Sequence, residues 1–406
     1  MKKWEEPQIE IRERVTKNSA AKKTVPLFIF VISICLAMVL GGLSVLGVLR
    51  AGKLGATLLK LRDVDMLANE NFLGEMDYND IDNMVITGYM KGLDDKYSFY
   101  EDTSGAEAVN DSFKGNTKGI GVNVFYKPEE YCYQVYRINS GSPAEGAGIK
   151  IGDKIVSIDG KSLKELGGAD SIDYLRKAVG ETSKVGILRN EESLEITVTH
   201  KEFVKQSVYY SIIDGYAFVA FTDFNEATVN QFEDCLSYLT EQKVKGYIFD
   251  LRDNGGGTVD SVCAILDMLV GECDLITVVY KDGEKVTLFD SDEKKVSLPM
   301  AVLVNEGTAS AAELFTATIQ SENGGKLIGN NTYGKGVMQR TYTLSDGSMV
   351  RMTVAEFFPA SGKGFNEVGL RPDYEVEFTK EQAENRFMLG ESDPYTLKAL
   401  EVLKGE

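Results

Sequence analysis

Apolar and polar positions alternate with different periods along the chain, and the changes of period divide it into segments. From Val25 to Leu49, "VPLFIFVISICLAMVLGGLSVLGVL", 25 residues pass without a charge. As a helix this run would extend about 37 Å, enough for the ~30 Å hydrocarbon core of a bilayer. The apolar region of a cleaved signal peptide is only about 7–15 residues long. The pattern therefore predicts an uncleaved signal anchor, a single N-terminal transmembrane helix over residues 25–49, preceded by a tail over 1–24. Over residues 50–103, apolar residues at helical spacing ("LLKLRDVDMLANENFL", then "IDNMVITGYMKGL") predict two or three helices that end at the turn-rich "DDKYSFYED". A packing or dimerisation element accounts for them without any chemistry.

From residue 104 to 201 the pattern changes to short strands punctuated by glycine: "GIGVNVFY", "CYQVYRIN", "DKIVSIDG", "KVGILRN" and "LEITVTH", around one helical segment, "SIDYLRKAV". This region resembles a PDZ domain, a strand-rich α+β fold. "KGIGV" matches the carboxylate-binding loop of that fold, and "SGSPAEGAGIKIGDKIVSIDGKSL" matches its middle. The resemblance implies that the backbone around Gly119, Ile120, Gly121 and Val122 receives the terminal carboxylate of a peptide that adds as a strand. Ile172 and Leu175 would line the pocket, although core packing accounts for them equally well.

From residue 202 to 380 strands and helices alternate: "YAFVAF", a helix near 229–241, "GYIFDLR", a helix near 259–269, "PMAVLVN", a helix from Ala311, then "KLIGNNTYG" and "MVRMTVAEFF". That order predicts an α/β sheet with crossover helices and a site at the strand ends. A C-terminal helical segment, 381–406, closes the chain.

With 406 residues, 43% of them apolar, the chain has material for two or three packed units. Residues 1–24 carry seven Lys or Arg, whereas Arg50 and Lys53 flank the other end of the apolar run. The positive-inside rule then puts the N-terminus in the cytoplasm and everything after Arg50 outside the cell membrane. Residues 50–406 hold 37 Lys or Arg against 58 Asp or Glu, a net charge near −21. Such a surface repels nucleic acid, which is excluded as a partner. Cys132, Cys235, Cys263 and Cys273 follow the apolar run, with Cys35 inside it, and none forms a C-x-x-C pair. With a single histidine, His200, no usual zinc set can be assembled, so no metal or cofactor is expected. The four outer thiols are either buried and free or paired in a disulfide, which an extracytoplasmic location permits.

Candidate chemistry concentrates in three places. "NEGTASAAELF" presents Ser310 at the start of a helix, where the Ala311 N–H and the helix dipole favour a developing oxyanion. "FDLRDNGGG" runs off a strand into Gly255, Gly256 and Gly257, whose N–H groups are free to face an anion. Alone, either stretch is equally well a structural turn. The lone imidazole lies over a hundred residues upstream in a strand-like run, so a Ser-His-Asp arrangement has no evident base. "TYGKGVMQ" offers another: Lys335, 25 residues after the serine, and Gln339 four residues later. Ser-Lys pairs replace Ser-His when the amine is unprotonated. An ordinary lysine, of pKa ~10.4, needs roughly 4.6 kcal/mol to deprotonate at pH 7, a gap that burial can close.

Apolar anchor, helical segment, PDZ domain, "DLRDNGGG", "GTASAAELF" and "YGKGVMQ" occur together in this order, followed by "FFPASGKGFNEVGLRPDYEV" and "DPYTLKALEVL". The combination is identified as that of a carboxy-terminal processing peptidase, or tail-specific protease. The resemblance covers nearly all the chain after about Leu61. It implies a crotonase-like α/β core with Ser310 as nucleophile, Lys335 as general base, Gln339 orienting Lys335, and the N–H groups of Gly256 and Ala311 as oxyanion hole. It further implies protein or peptide substrates with exposed C-termini, a PDZ domain that recruits or gates, dimers built on terminal helices and a regulatory partner protein. Thr308 stands where serine is common in the family, and Gly255 where proline is frequent. Two other readings are an inactive membrane-tethered PDZ adaptor, against which the intact Ser310, Lys335 and Gln339 argue, and an acyl-CoA enzyme of the crotonase class, against which the anchor and the PDZ-like domain argue.

Overall fold

The computed structural model describes residues 54–405, together with positions 28, 31–33, 36 and 38 of the apolar run. Most of the span expected at 25–49 thus lies outside the described residues. Among the described residues no helix is long and apolar enough to cross a membrane. The chain divides into two compact units, residues 1–78 and 79–406. The first contains the helix Gly55–Asn71, whose Asp65 and Asn69 side chains bond the Tyr78 hydroxyl at 2.8 and 2.7 Å. Leu58, Leu61, Val64 and Leu67 on this helix are exposed.

The second unit opens with the helix Tyr78–Lys91 and a short strand, Phe99–Glu101. Residues 103–114 are a helix, where strands were expected from residue 104 onward. Ala106, Val109 and Phe113 recur at helical spacing there, Asp102 caps the first turn by accepting from the Gly105 N–H, and Gly115 ends it at φ 82°.

The strand-rich domain follows. Its antiparallel sheet runs in the order Val122–Lys127, Cys132–Ile138, Lys154–Ile158, Thr182–Arg189, Glu192–Thr199, with Lys161–Ser162 beside the third strand. Val122–Lys127 is an edge strand, so its outer backbone is open to a further strand. Val135, Ile155, Ile158, Val185 and Ile187 fill the core. The helical segment expected at 171–179 is instead a 3-10 turn, Gly168–Leu175, entered through Gly167 and Gly168 at positive φ. The chain enters and leaves this domain through a paired ribbon, Asn116–Gly119 against Lys201–Val204.

The remaining core is a six-stranded sheet in the order Val208–Ile213, Tyr216–Phe221, Tyr247–Asp250, Met300–Val304, Lys326–Gly329, Tyr374–Glu375. The first pair is antiparallel and the others are parallel. Parallel strands must be covered on both faces, and these are. On one face Phe249, Val302 and Val304 meet Phe232, Leu266 and Phe315 from the helices Glu226–Glu241, Val259–Asp267 and Ala311–Asn323. On the other, Ile248, Ala301 and Leu303 meet Tyr395, Ala399 and Leu400 from the helix Pro394–Lys404. A second, antiparallel sheet joins Phe99–Glu101, Met349–Pro359, Asp274–Tyr280 and Lys285–Asp290, with Val337–Thr343 also on Met349–Pro359. The hairpin 274–290 and the strand Val337–Thr343 were not picked out from the sequence pattern.

All four described cysteines are free thiols; Cys132, Cys235 and Cys263 are buried and Cys273 is half-buried. Burial pushes the thiols of Cys235 and Cys263 up to about 12, so neither is a thiolate at neutral pH.

Phe315 packs with ring centroids 5.6, 5.9 and 5.2 Å from Phe221, Phe224 and Phe249. Phe315→Ala should destabilise the second unit by about 3–5 kcal/mol, read as a lower denaturant midpoint; a loss under ~1 kcal/mol would show that this cluster does not hold the core.

Candidate active site

Three neighbouring parallel strands, Tyr247–Asp250, Met300–Val304 and Lys326–Gly329, end side by side, and each releases one of the chemically marked loops. "LRDNGGG" leaves the first, "NEGTAS" the second and "NNTYGKG" the third. The first two loops are fastened to each other: Thr308 Oγ1 donates to Leu251 O at 2.8 Å, the Ala309 N–H to Asn254 O at 3.0 Å, and the Asp253 N–H to Asn305 Oδ1 at 2.9 Å. A hydroxyl is all that the Thr308 position requires, so threonine serves there as serine would. The third loop joins through the Tyr333 N–H, which donates to Thr308 O at 3.0 Å.

Ser310 has φ 60° and ψ −120°, a left-handed backbone in a residue with a side chain. Such a conformation is sparsely populated and persists only where its surroundings impose it. Here the imposing group is Glu313, one turn into the following helix and fully buried. Its Oε2 accepts from the N–H of Ser310 and the N–H of Lys335, both at 2.8 Å. Its Oε1 accepts from the Gly334 N–H at 2.7 Å and from Thr332 Oγ1 at 2.5 Å. One carboxylate oxygen thus holds the backbones of both Ser310 and Lys335. Sequence reasoning passed over Glu313; its place at the third residue after the serine, a capping-box spacing, was the available signal.

Gly256 lies against the serine. A Cβ added there would stand 2.8 Å from Ala309 O, 2.9 Å from Ala311 N and 2.9 Å from Ser310 Cβ, and its φ is 103°. Its own N–H donates to Asn254 Oδ1 at 2.8 Å. Gly255, by contrast, has open space around an added Cβ and no positive φ, so a larger residue fits there.

The side chains are less converged than the backbones. Ser310 and Gln339 line one cleft together with Gly257 and Ala311. Among the described residues, no hydrogen bond joins Ser310 Oγ to Lys335 Nζ. The Lys335 ammonium faces the Tyr97 ring, 4.5 Å from its centroid. Gln339 Nε2 donates to Val337 O at 3.1 Å and Thr353 Oγ1 at 3.3 Å, not to Lys335. Lys335 is half-buried; desolvation, then the Arg351 charge, hold its pKa below the ordinary lysine value. His200 is fully buried in the strand-rich domain, its Nε2 2.9 Å from Ser183 Oγ, and burial lowers its pKa.

Behind the loops, Arg252 Nε and Nη2 grip Asp250 at 2.8 and 2.7 Å, and Nη1 reaches Asp393 at 2.8 Å. Asp393 caps the C-terminal helix through the N–H groups of Tyr395 and Thr396. Burial opposes the charge on Arg252, and the two carboxylates outweigh it and keep the guanidinium protonated.

In the strand-rich domain, the loop 119–122 enters the edge strand, and Ile120 is buried in its core. Gly121 has φ 85°, and a Cβ there would come 2.3 Å from Ser142 Cβ. Leu175 is buried in the same core and Ile172 packs at its margin. No cluster of side chains suited to a metal ion is found among the described residues.

A backbone-strained serine at a helix start, a lysine loop fastened beside it and a PDZ-like domain are the arrangement of a serine protease. Residues 215–376 match the model of peptidase family S41, and residues 116–199 match that of the PDZ domain. The chain is 30% identical over 340 residues to the carboxy-terminal processing protease CtpA of Bacillus subtilis (strain 168), covering 83% of this chain and 72% of that one. It is 27% identical over 347 residues to a CtpA-like serine protease of Staphylococcus aureus (strain N315), covering 83% and 70%. The structure of an S41 protease from Bacteroides fragilis NCTC 9343 shares the fold, with a TM-score of 0.61 at 18% identity over 82% of this chain and 93% of that one. The chain belongs to peptidase family S41, the carboxy-terminal processing serine proteases.

Glu313→Gln replaces a four-fold acceptor by an amide that must turn hydrogens toward N–H donors. Cleavage should fall about a hundredfold and stability by about 1–3 kcal/mol. A variant with wild-type turnover would show that Ser310 and Lys335 are positioned without Glu313.

Proposed function

We propose that this protein is a membrane-anchored, extracytoplasmic endopeptidase that cleaves near exposed C-terminal tails by a Ser310–Lys335 dyad. The observation that carries it is the shared Glu313 oxygen, which ties the backbone of a strained serine to that of a lysine whose charge is disfavoured by burial. In the working enzyme the Lys335 side chain turns from the Tyr97 ring to Ser310. Its neutral amine takes the hydroxyl proton as Oγ attacks the scissile carbonyl. The Ala311 N–H at the helix start receives the oxyanion, joined by the Gly256 N–H once it leaves Asn254 Oδ1. Lys335 then passes its proton to the leaving amine, and water hydrolyses the acyl-enzyme. Gln339, being neutral, orients the amine without restoring its charge.

The PDZ domain, with its open edge strand and the Gly119–Val122 loop, takes the tail as an added strand and presents it to the core. The 25-residue uncharged run and the basic 1–24 tail support anchoring, with the N-terminus in the cytoplasm. The exposed apolar stripe of the helix Gly55–Asn71 suits a homodimer contact.

Ser310→Ala and Lys335→Ala should each abolish cleavage of an unstructured peptide with a small apolar C-terminus, and chelators should have no effect. Activity surviving in either variant would refute the dyad. Because catalysis needs neutral Lys335, kcat/KM should rise with pH up to that lysine's pKa, which burial and Arg351 keep below ~10.4; a rate independent of pH from 6 to about 9 would assign the base elsewhere. On intact cells, an impermeant amine-reactive label should modify the part after Arg50, and modification only after lysis would reverse the orientation.

A further inference from the structure

The cleft beside Ser310 contains a cation that no described residue balances. Arg351 lies on the strand Met349–Pro359, paired with Phe99 on one side and Thr341 on the other. Its guanidinium sits between two aromatic rings, 6.0 Å from the centroid of Phe99 and 5.5 Å from that of Phe113. It lines a cavity of about 310 Å³ together with Ser310, Ala311 and Gln339. Among the described residues it makes no hydrogen bond and no ion pair. Asp260, which lines the same cavity, is exposed and does not pair with it. The contrast with Arg252, held by two carboxylates, and Arg189, held by Asp153, is plain.

A half-buried guanidinium without a counter-charge is costly to the fold, and burial depresses its pKa here. Aromatic faces offset part of that cost but satisfy none of its five N–H donors. Ile276, Leu314 and Phe357 give the cavity apolar wall, beside Thr258, Thr341 and Arg340, whose guanidinium donates to the Tyr280 hydroxyl at 3.4 Å. An occupant that satisfies both surfaces has an apolar side chain and a carboxylate close by on the same peptide.

We propose that Arg351 is a specificity residue that binds a carboxylate of the peptide lying in the cleft, and so favours substrates with a negative charge near the scissile bond. The planar fork of the guanidinium accepts a carboxylate through two parallel hydrogen bonds, which an ammonium cannot reproduce. The carboxylate comes from one of two sources, the free C-terminus of a tail cut close to its end or an acidic side chain beside the cut. This inference rests on Ser310 being the nucleophile of that cleft.

Full-length protein in detergent should be assayed with two peptide pairs, one differing only in a C-terminal acid or amide, the other, both amidated, in Glu or Gln next to the cleaved bond. One pair should show a kcat/KM preference for the charged member of roughly tenfold or more. In Arg351→Gln that preference should fall toward unity, with Arg351→Lys in between. The pair whose ratio collapses identifies the source. The ratio is unaffected by any influence of Arg351 on Lys335, because both members of a pair meet the same base. Should Arg351→Gln turn over too slowly, the same ratios are read as peptide affinities in a Ser310→Ala background, with thermal melting to verify folding. Unchanged ratios for both pairs would overturn the proposal and leave the Ser310 assignment standing. Cleavage persisting in Ser310→Ala would instead remove the premise.

Discussion

The four hydrogen bonds received by the Glu313 carboxylate are what the rest of the site depends on. Two loops that leave different strands have no covalent reason to stay in register at the level of a hydrogen bond. A buried anion surrounded by N–H groups from both supplies one, because moving either loop leaves a buried acceptor or donor unmatched. The same contact holds Ser310 at its positive φ, so positioning of Ser310 and of the lysine loop are one structural event.

Glu313 can act in this way because the parallel sheet brings the strand ends together. Strands Tyr247–Asp250, Met300–Val304 and Lys326–Gly329 are adjacent and point the same way, with helices over one face and the C-terminal helix over the other. The Asp250–Arg252–Asp393 cluster fixes the C-terminal helix to the first of these strand ends. Arg386 meets Asp253 in the same loop at 3.2 Å, and the next residue, Phe387, stacks on Tyr136 of the PDZ domain with centroids 4.3 Å apart. The segment after residue 380 therefore touches both the glycine loop and the PDZ sheet.

The charges in the cleft have opposite consequences for binding and for catalysis. Desolvation and Arg351 make the Lys335 proton easier to lose, which suits a base, while the Tyr97 ring and Asp95 favour the charged form. The Lys335 side chain rests against the aromatic face of Tyr97. The backbones of Ser310 and Lys335 are both fixed through Glu313.

The PDZ-like strands and the alternation of strands and helices were legible because each is written in local order, and Ser310, Lys335, Gln339, Gly256 and Ala311 stood out as candidates because their loops follow those strands. Period two or 3.6 marks an element, and glycines beside a serine or lysine mark a loop close to an anion. The helix 103–114 carries few apolar positions to mark it, and the strand Val337–Thr343, V-M-Q-R-T-Y-T, does not alternate apolar with polar residues. What local order cannot encode is which side chains meet across loops. That Glu313 joins Ser310 to Lys335, that the Gly256 N–H is occupied by Asn254, that Lys335 rests on Tyr97 from some 240 residues upstream, and that Arg351 has no counter-ion among the described residues were all decided by the tertiary structure, since each depends on strand order and burial, which bring together residues that the sequence keeps far apart.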